Sequence, residues 1–325
     1  MNMAARPLAF AALPYVYYTA TGKSYCCRGK GWVLLTGLTG LIAGLAIALG
    51  LVLALGLAIA LGRAVFLAAK KPSLTRNWSP DQAVMPRAEF LGDGEIRLQH
   101  IRSINYRTTR DYDLKYYDKQ FNIADVDTAW LVISPFGGRG VAHAFLSFGL
   151  KDGTFIAVSI EIRRQKGEKF TALKAFMRQF EIMYVIADET DVIKVRTNCV
   201  KDRVRLFPVQ AEKKLIRSVF VDVLRRADKL GKKPEFYNTL WNNCTTNIIM
   251  HTRRFSSKPI PLWSIRYLLP ESLDKIAYRL NIIDTHLPFD AAREHFDITA
   301  LAQELEADED FSAAIRRHFR VRPVD

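Results

Sequence analysis

The chain has 325 residues, 49% of them hydrophobic and 25% charged, which is enough apolar content for a core and excludes an intrinsically disordered protein. The net charge is +14, and residues 1–76 hold eight lysines or arginines and no acidic residue. Because this excess lies beside an apolar segment, it favours an anionic membrane surface as a partner. Nucleic acid is not expected, since the chain shows no zinc-finger spacing, RNA-binding signature or basic-aromatic stripe.

The first element is an apolar segment with no charged residue from 31 to 62. As a single helix this segment would be roughly 48 Å long, against about 30 Å of bilayer hydrocarbon. The sequence therefore predicts a transmembrane region over 31–69, either one overlong span or a helical hairpin that turns near Leu49 to Val52. Symmetric basic flanks mildly favour the hairpin. Residues 1–30 are expected to form a basic cytoplasmic N-terminus.

Four cysteines, Cys26, Cys27, Cys199 and Cys244, show neither a C-x-x-C motif nor a secreted disulfide framework. Cys26 and Cys27 stand next to the apolar segment and either carry lipid or remain free thiols. A disulfide between Cys199 and Cys244 is allowed by count alone and would silence Cys244. We expect no metal and no organic cofactor.

Residues 70–87 are polar and marked by prolines, and they are predicted to be a linker into a domain over 88–325. Strand composition follows in GEIRLQHIRSINYR and DTAWLVISPF, and VAHAFLSFGL-KDG-TFIAVSIEIR predicts a hairpin. EIMYVIADETDVIKVRT predicts one or two more strands. From Ala211 the period changes to that of an amphipathic helix, ended near Gly231, and a further helix is predicted around Ile298 to His318. Strands first and helices later indicate an α+β domain with a helical C-terminal region.

The stretch YNTLWNNCTTNII places Cys244 at a predicted helix start, with Asn242 or Asn243 as the cap. Unpaired backbone N–H groups and the positive end of the helix dipole favour a thiolate there, and the same groups could hold an oxyanion. Cys244 is therefore a candidate nucleophile. The alternative is an inert cysteine that fills the core.

A thiol nucleophile needs a base, and the hairpin provides a candidate in His143. The apolar faces of its two strands meet only if paired residue numbers sum to an even value. A three-residue loop with Gly153 in the left-handed conformation pairs Leu150 with Thr154 and places His143 opposite Glu161. A carboxylate across from an imidazole orients the base, although a surface His–Glu pair is equally compatible with this pattern. His251 is seven residues beyond Cys244, roughly 10 Å along a helix, too far for a direct hydrogen bond.

Two further polar groups have functional and ordinary interpretations. Arg163 continues the second hairpin strand and could bind an anionic headgroup, or it is an exposed arginine at a strand end. Asp188, Glu189 and Asp191 could bind a cation, although turn chemistry also explains them.

Three blocks in order, HAFLSFGLKDGTFIAVSIEIRRQKGE, FEIMYVIADETDVIKVRTN and PEFYNTLWNNCTTNI, resemble the Lnb-type N-terminal periplasmic domain family, from about Asn77 to Ile298. The resemblance implies a circularly permuted papain-like (NlpC-like) fold, with an antiparallel sheet and helices, in which the histidine strand precedes the cysteine helix. It implies Cys244 as nucleophile, His143 as base and Glu161 as the residue that orients the base.

The family's namesake is a bacterial lipoprotein N-acyltransferase. The resemblance therefore implies acyl transfer through a thioester, with a membrane lipid as donor and a lipoprotein or other amine as acceptor. It also implies a soluble domain on the periplasmic face of the bacterial inner membrane, which a single span satisfies. Two alternatives remain: a cell-envelope cysteine peptidase or amidase, and a non-enzymatic envelope interaction protein in which Cys244 only packs.

Overall fold

The computed structural model describes residues 30–136, 141–255, 273–305 and 310–319. The chain divides into two compact units, Met1–Lys71 and Pro72–Asp325. Most of the predicted basic N-terminus, including Cys26 and Cys27, lies outside the described residues.

The first unit contains one long helix, α1 (Lys30–Ala69), which continues through residues 49–52 without the turn that a hairpin requires. Its stretch Gly37–Phe66 has a mean hydropathy of 2.7 and is long and apolar enough to cross a membrane. The helix is apolar on all sides, and its leucines and isoleucines from Leu38 to Leu61 are exposed, as expected for a helix surrounded by lipid. The predicted apolar anchor is thus a single continuous helix.

The described part of the second unit is a mixed α+β domain with one eight-stranded sheet. The strands follow the order β1-β2-β7-β6-β5-β4-β8, and β3 pairs with β2 beside this path. All neighbours are antiparallel except β2 and β7. The strands are β1 (Arg87–Gly92), β2 (Glu95–Tyr106), β3 (Tyr112–Asn122), β4 (Val126–Pro135), β5 (Ala142–Leu150), β6 (Phe155–Arg163), β7 (Glu181–Asp188) and β8 (Arg205–Pro208).

Helices pack on both faces of this sheet. They are α2 (Ala172–Phe176), α3 (Glu189–Val192), α4 (Lys213–Lys232), α5 (Cys244–Arg253), α6 (Leu273–Arg279), α7 (Phe289–His295), α8 (Thr299–Glu304) and α9 (Phe311–Ala314), with a π-helix at Val195–Val200 and 3-10 turns at Pro80–Gln82 and Ile123–Asp125.

The β5–β6 hairpin has the predicted register. Leu146 lies opposite Val158, so paired numbers sum to 304. The backbone N–H of Leu150 donates to the carbonyl of Thr154 at 2.8 Å, and Gly153 has a φ of +84°, the left-handed conformation that glycine adopts without strain. Side-chain alternation and turn chemistry were therefore sufficient to predict this pairing.

The two faces of the sheet carry separate cores. On the face that we call the α5 face, Ala142, Ala144 and Leu146 of β5 pack with α4 and α5. On the opposite α3 face, Phe145 packs with residues of α3, α8 and α9. Because successive strand residues point to opposite faces, His143 shares the α3 face with Phe145.

The segment 70–87 makes more contacts than a linker would. Trp78 is buried, with the Arg163 guanidinium 4.2 Å from its ring centroid. The Gln82 side chain donates to the carbonyl of Ile162 at 3.0 Å. The polar, proline-marked sequence did not indicate this packing, which attaches the start of the second unit to β6.

The stretch EIMYVIADETDVIKVRT forms one strand, the smaller of the two numbers predicted, and the rest of it is helical. β7 ends at Asp188 and leads into α3 and the π-helix. Glu189 and Asp191 turn inward, where Arg316 donates to Glu189 (2.5 and 2.7 Å) and Arg102 donates to both oxygens of Asp191 (2.8 Å each). Two members of the predicted acidic cluster therefore have arginine partners from distant parts of the chain, and the third, Asp188, accepts a hydrogen bond from the Tyr117 hydroxyl at 2.5 Å.

The predicted C-terminal helix is instead represented by two short helices, α8 and α9, with residues 306–309 between them outside the described part. Strands β1, β3 and β8 were not predicted. In β3 the chain alternates charged and aromatic residues, and nearly all its residues are at least partly exposed, so the apolar pattern that marks a strand is weak there.

Candidate active site

Cys244 is the first residue of α5, as its sequence context predicts. Asn243 is the cap: its Oδ1 accepts from the N–H of Thr246 at 2.9 Å, and Thr246 Oγ1 accepts from the N–H of Asn243 at 3.0 Å. This reciprocal capping box satisfies two backbone donors of the first turn. Asn242 accepts from the Asn247 side chain at 3.0 Å. Both predicted asparagines thus position the cysteine through the loop and the helix start.

The thiol of Cys244 is nearly enclosed, since only 7% of the residue is exposed. Burial raises the pKa of the thiol, and this outweighs a backbone hydrogen bond with Ala144, contacts with Thr245 and the positive charge of Arg196, all of which lower it. The resting group is therefore a thiol, and not the thiolate that the helix start alone suggests. The bond to Ala144 places the sulfur against the backbone of β5.

His143 lies in a polar chain on the α3 face. Its Nε2 is 2.7 Å from Ser159 Oγ, and Ser159 donates to Glu161 at 2.9 Å. His143 Nε2 itself is 3.8 Å from Glu161, and Arg196 is 3.4 Å from the same carboxylate oxygen. The predicted His143–Glu161 neighbours therefore share a face, with a serine hydroxyl inserted between them.

The charges of this chain follow from burial and from Arg196. Burial, followed by the charge of Arg196, lowers the pKa of His143 to about 3, although Glu161 opposes this. Burial alone would raise the pKa of Glu161, but electrostatic interactions with His143, Arg196 and Arg102 and the hydrogen bond from Ser159 lower it to about 2. At neutral pH the imidazole is therefore neutral and able to accept a proton, beside an ionised carboxylate.

Cys244 and His143 lie on opposite faces of β5, but both border a gap in the sheet. By the gap we mean the segments of β5 and β6 that do not pair with each other. Strands β5 and β6 pair only from Leu146 to Gly149, whereas β6 pairs with β7 as far as Arg163. Between residues 142–145 and 159–162 the two strands are therefore unpaired. The sulfur reaches this region through Ala144 from one face and the imidazole from the other. The side chains of Cys244 and His143 form no direct hydrogen bond with each other. The positive charge of Arg196 lowers the pKa of both.

Arg163, the predicted headgroup ligand, is only 2% exposed. Its guanidinium donates to the carbonyls of Gln82 (2.9 Å) and Ala83 (2.7 Å) and stacks on Trp78. In this structure it attaches the start of the second unit to β6. Cys199 is a free, half-buried thiol and Cys244 is also free, so the described cysteines form no disulfide.

The sequence reasoning missed a second histidine network on the same helix as Cys244. His251 Nδ1 is 2.6 Å from Asp222 Oδ2, and its Nε2 is 2.8 Å from the hydroxyl of Tyr184. Tyr184 also donates to Asn247 at 2.9 Å. The i, i+4 spacing of Asn247 and His251 was the available signal, because such a pair shares one helix face.

An apolar cavity of about 490 Å³ lies on the α5 face. Its lining includes Ile248 and Ile249 of α5, Leu146 of β5, Val219 of α4 and Ile276 of α6. Cys244 does not line it, but Ile248 is one helical turn away from Cys244 and Leu146 is two residues from Ala144. The volume falls within the range of small-ligand pockets.

The fold and the site together define a mixed α+β domain with a capped cysteine helix packed on a histidine-bearing strand, in a chain that also carries a helix fit to span a membrane. A family model, the Lnb N-terminal periplasmic domain, matches residues 112–271. The match agrees with the family resemblance predicted from the sequence. Together with α1, it indicates a membrane-anchored protein with a periplasmic domain. Comparisons with curated proteins and with solved structures gave no match.

Proposed function

We propose that this protein is a thiol acyltransferase anchored in the bacterial inner membrane, with Cys244 as nucleophile and His143 as base. The observation that carries the proposal is the gap between β5 and β6, which Cys244 borders from one face and the His143–Ser159–Glu161 chain from the other. A thiol, a neutral imidazole and an orienting carboxylate are the components of cysteine acyl-transfer chemistry.

The fold proposed for this chemistry is the circularly permuted papain-like one. Supporting it, the histidine strand β5 precedes the cysteine helix α5 in the chain, and α5 packs on β5 within one core. The family match and the single span support a domain on the periplasmic side of the inner membrane, because one span and a cytoplasmic N-terminus would put the residues after α1 on that side.

In the first step the thiol proton passes to His143 while the sulfur attacks the ester carbonyl of a membrane lipid. The carbon–oxygen bond breaks, the departing alkoxide takes the proton from His143, and a thioester remains on Cys244. An amine then attacks the thioester, the carbon–sulfur bond breaks, and His143 carries the proton of the amine to the sulfur. The product is an amide on the acceptor, which we propose to be a lipoprotein.

His143 must exchange its hydrogen bond to Ser159 for one to the sulfur, through a rotamer change at the gap. The resting pair is uncharged because burial raises the pKa of the thiol and lowers that of the imidazole. Deprotonation is therefore coupled to attack, as general-base catalysis, rather than completed beforehand in an ion pair.

The apolar cavity supports acyl transfer over peptide cleavage. Leu146, Ile248 and Ile249 give it an aliphatic lining suited to an acyl chain, next to the helix that carries Cys244. An acyl chain gains about 0.8 kcal/mol for each buried methylene group, a gain that a polar cell-wall peptide does not obtain there.

The test uses the full chain in proteoliposomes with an acyl-labelled phospholipid and a lipopeptide that has a free amino terminus. Mass spectrometry should find the label on Cys244 as a thioester and then on the amine. Cys244→Ala should abolish both products, whereas the matched Cys199→Ala should retain them. Persistent acylation in Cys244→Ala refutes the proposal, and release of peptide from cell-wall fragments without acyl transfer supports the peptidase or amidase instead.

A further inference from the structure

Large apolar side chains are exposed around the turn that leads into α5. Reciprocal backbone hydrogen bonds between Asn238 and Asn242 (3.0 and 3.1 Å) close this turn and place Leu240 and Trp241 at its tip. Trp241 is 66% exposed, and Leu173 of α2 is 68% exposed. The exposed apolar patch consists of Phe170, Leu173, Phe176, Leu240 and Trp241.

The two parts of the patch adjoin each other through the elements beneath them. The ring of Phe170 stacks on Phe180 with centroids 6.0 Å apart, and the N–H of Tyr237 donates to the carbonyl of Phe180 at 3.0 Å. The Arg178 guanidinium lies 5.5 Å from the ring centroid of Phe236. The α2 segment and the turn before α5 therefore form one end of the second unit.

The patch has a basic border. Residues 163–178 contain six lysines or arginines and one acidic residue, Glu168, which pairs with Lys174 at 3.7 Å. Lys166 and Lys169 are exposed next to the apolar side chains. Apolar residues bordered by lysines are typical of a surface that enters the headgroup region of an anionic bilayer.

The start of the second unit lies at this same end. The N–H of Ser73 donates to Glu181 at 2.8 Å, and Arg76 is 3.3 Å from the same carboxylate. Glu181 in turn forms a β-bridge with Phe236, beside the turn that carries Trp241. The chain that arrives from the membrane-spanning segment, which ends at Phe66, therefore enters the second unit beside the patch.

We propose that the exposed apolar patch docks the second unit on the anionic surface of the bilayer. Trp241 and Leu240 would lie at the level of the headgroups, where tryptophan is favoured because one edge of its ring is apolar and the other can hydrogen-bond. Phe170, Leu173 and Phe176 extend the contact, and the lysines pair with lipid phosphates. A monomeric soluble surface has no comparable reason to expose these side chains together.

Docking here brings lipid to within three residues of Cys244 along the chain, because Trp241 lies two residues before Asn243, the cap of α5. The docking surface itself does not depend on whether Cys244 is catalytic. It concerns side chains outside the Cys244–His143 chemistry, so a failure of either idea leaves the other standing.

The experiment reconstitutes the full chain in nanodiscs of phosphatidylcholine and phosphatidylglycerol, with and without lipids brominated along the acyl chain. Bromine quenches tryptophan only on contact. The tryptophan emission lost in Trp241→Phe should be emission that brominated lipid quenches. The emission lost in Trp78→Phe should be insensitive to brominated lipid, since Trp78 is buried in the second unit. Equal quenching for both variants overturns the proposal.

Paired substitutions then test whether the patch and its basic border make the contact with lipid. Leu173→Asp should reduce quenching of Trp241, and Leu91→Asp, an exposed leucine on β1 away from the patch, should not. Lys166→Gln and Lys169→Gln should each weaken docking about fivefold, equivalent to about 1 kcal/mol, whereas Lys151→Gln in the β5–β6 loop should not. If Trp241 stays unquenched both with and without anionic lipid, the bilayer is refuted as the occupant of the patch.

Discussion

Two histidines lie in polar networks on opposite faces of the sheet, and the two networks differ in completeness. His251 has a hydrogen-bond partner at each ring nitrogen, Asp222 at 2.6 Å and Tyr184 at 2.8 Å, and only 2% of its side chain is exposed. His143 has one short contact, to Ser159, and reaches Glu161 only at 3.8 Å. The first network connects α4, α5 and β7, and the second borders unpaired strand segments.

On the function proposed above, this difference would separate a structural role for His251 from a chemical role for His143. A histidine whose two nitrogens are both engaged in a buried network holds elements together and has no free site for a reacting group. A neutral histidine beside a gap, with a carboxylate held one hydroxyl away, can exchange a partner and move a proton. We therefore expect changes at His143 to affect activity and changes around His251 to affect stability.

The largest expected effect is the loss of acyl transfer in His143→Ala. Removal of a general base costs about 10²- to 10⁴-fold in rate, and no other described side chain is placed to act as a base for the buried thiol. On the proposed function, the rate of amide formation on the lipopeptide acceptor, measured with the full chain in proteoliposomes, checks this.

The matched variant is His251→Gln, which leaves Cys244, His143 and Glu161 in place. Its rate per folded molecule should stay within about tenfold of the wild type, because the group lost is structural. Equal losses in the two variants would contradict the division of roles between the histidines.

The next effect is on stability. Asp222→Ala removes the acceptor of His251 Nδ1 and the partner of Arg254, whose Nη1 is 2.6 Å from Asp222 Oδ1. A buried imidazole N–H left without its acceptor should lower the free energy of unfolding by about 2–3 kcal/mol. Urea unfolding of the detergent-solubilised chain measures this.

Asp228→Ala on the same helix is the control. Asp228 pairs with Lys232, whose side chain is 70% exposed, so its loss should cost about 0.5 kcal/mol or less. A similar cost for both variants would show that the Asp222–His251 contact stabilises no more than a surface ion pair.

The sequence predicts contacts between residues that are close along the chain better than contacts between distant segments. The β5–β6 register depends on side-chain alternation and on one glycine turn, so Glu161 could be placed on the face of His143 in advance. The cap of Cys244 by Asn243 is equally local. These features need only neighbours in the chain or across one hairpin.

The relation of Cys244 to His143 is not local, because it depends on which face of β5 receives α5. Ala142 and Ala144 are small and make room for the sulfur on one face, whereas His143 points to the other. Alternation places His143 and Ala144 on opposite faces but does not reveal where a helix a hundred residues later will pack. For the same reason the sequence could not show that His251, Asp222 and Tyr184 meet.

A third prediction concerns pH. The native pKa of His143, about 3, lies below the ordinary value of about 6.5, so the unfolded chain binds a proton first as the pH falls. The stability that neutral His143 supports is complete above about pH 6.5 and is lost towards pH 3, at about 1.4 kcal/mol per pH unit. The difference in unfolding free energy between wild type and His143→Gln should show this slope.

Arg196→Gln tests the cause of that slope. The charge of Arg196 is one of the two influences that lower the pKa of His143, burial being the larger. Its removal should raise the pKa of His143 and narrow the pH window in which stability is lost. A difference between wild type and His143→Gln that does not vary with pH would show that His143 titrates normally in the native protein.

The smallest expected effect concerns the Asn243 cap beside Cys244. Asn243→Ala removes the acceptor of the Thr246 N–H and the donor to the Thr239 carbonyl, and the loss of such a cap costs about 1 kcal/mol. The cost falls on the first turn of α5, whose position against β5 encloses the sulfur. Alkylation of Cys244 by iodoacetamide should therefore accelerate more than that of Cys199 in the same molecule.

Asn243→Asp keeps the acceptor for Thr246 and should restore most of the stability, while its negative charge next to the thiol should slow alkylation. Equal alkylation of Cys244 in the wild type and both variants would mean that the capping box does not control access to the thiol, and that Cys244 is enclosed by the sheet alone.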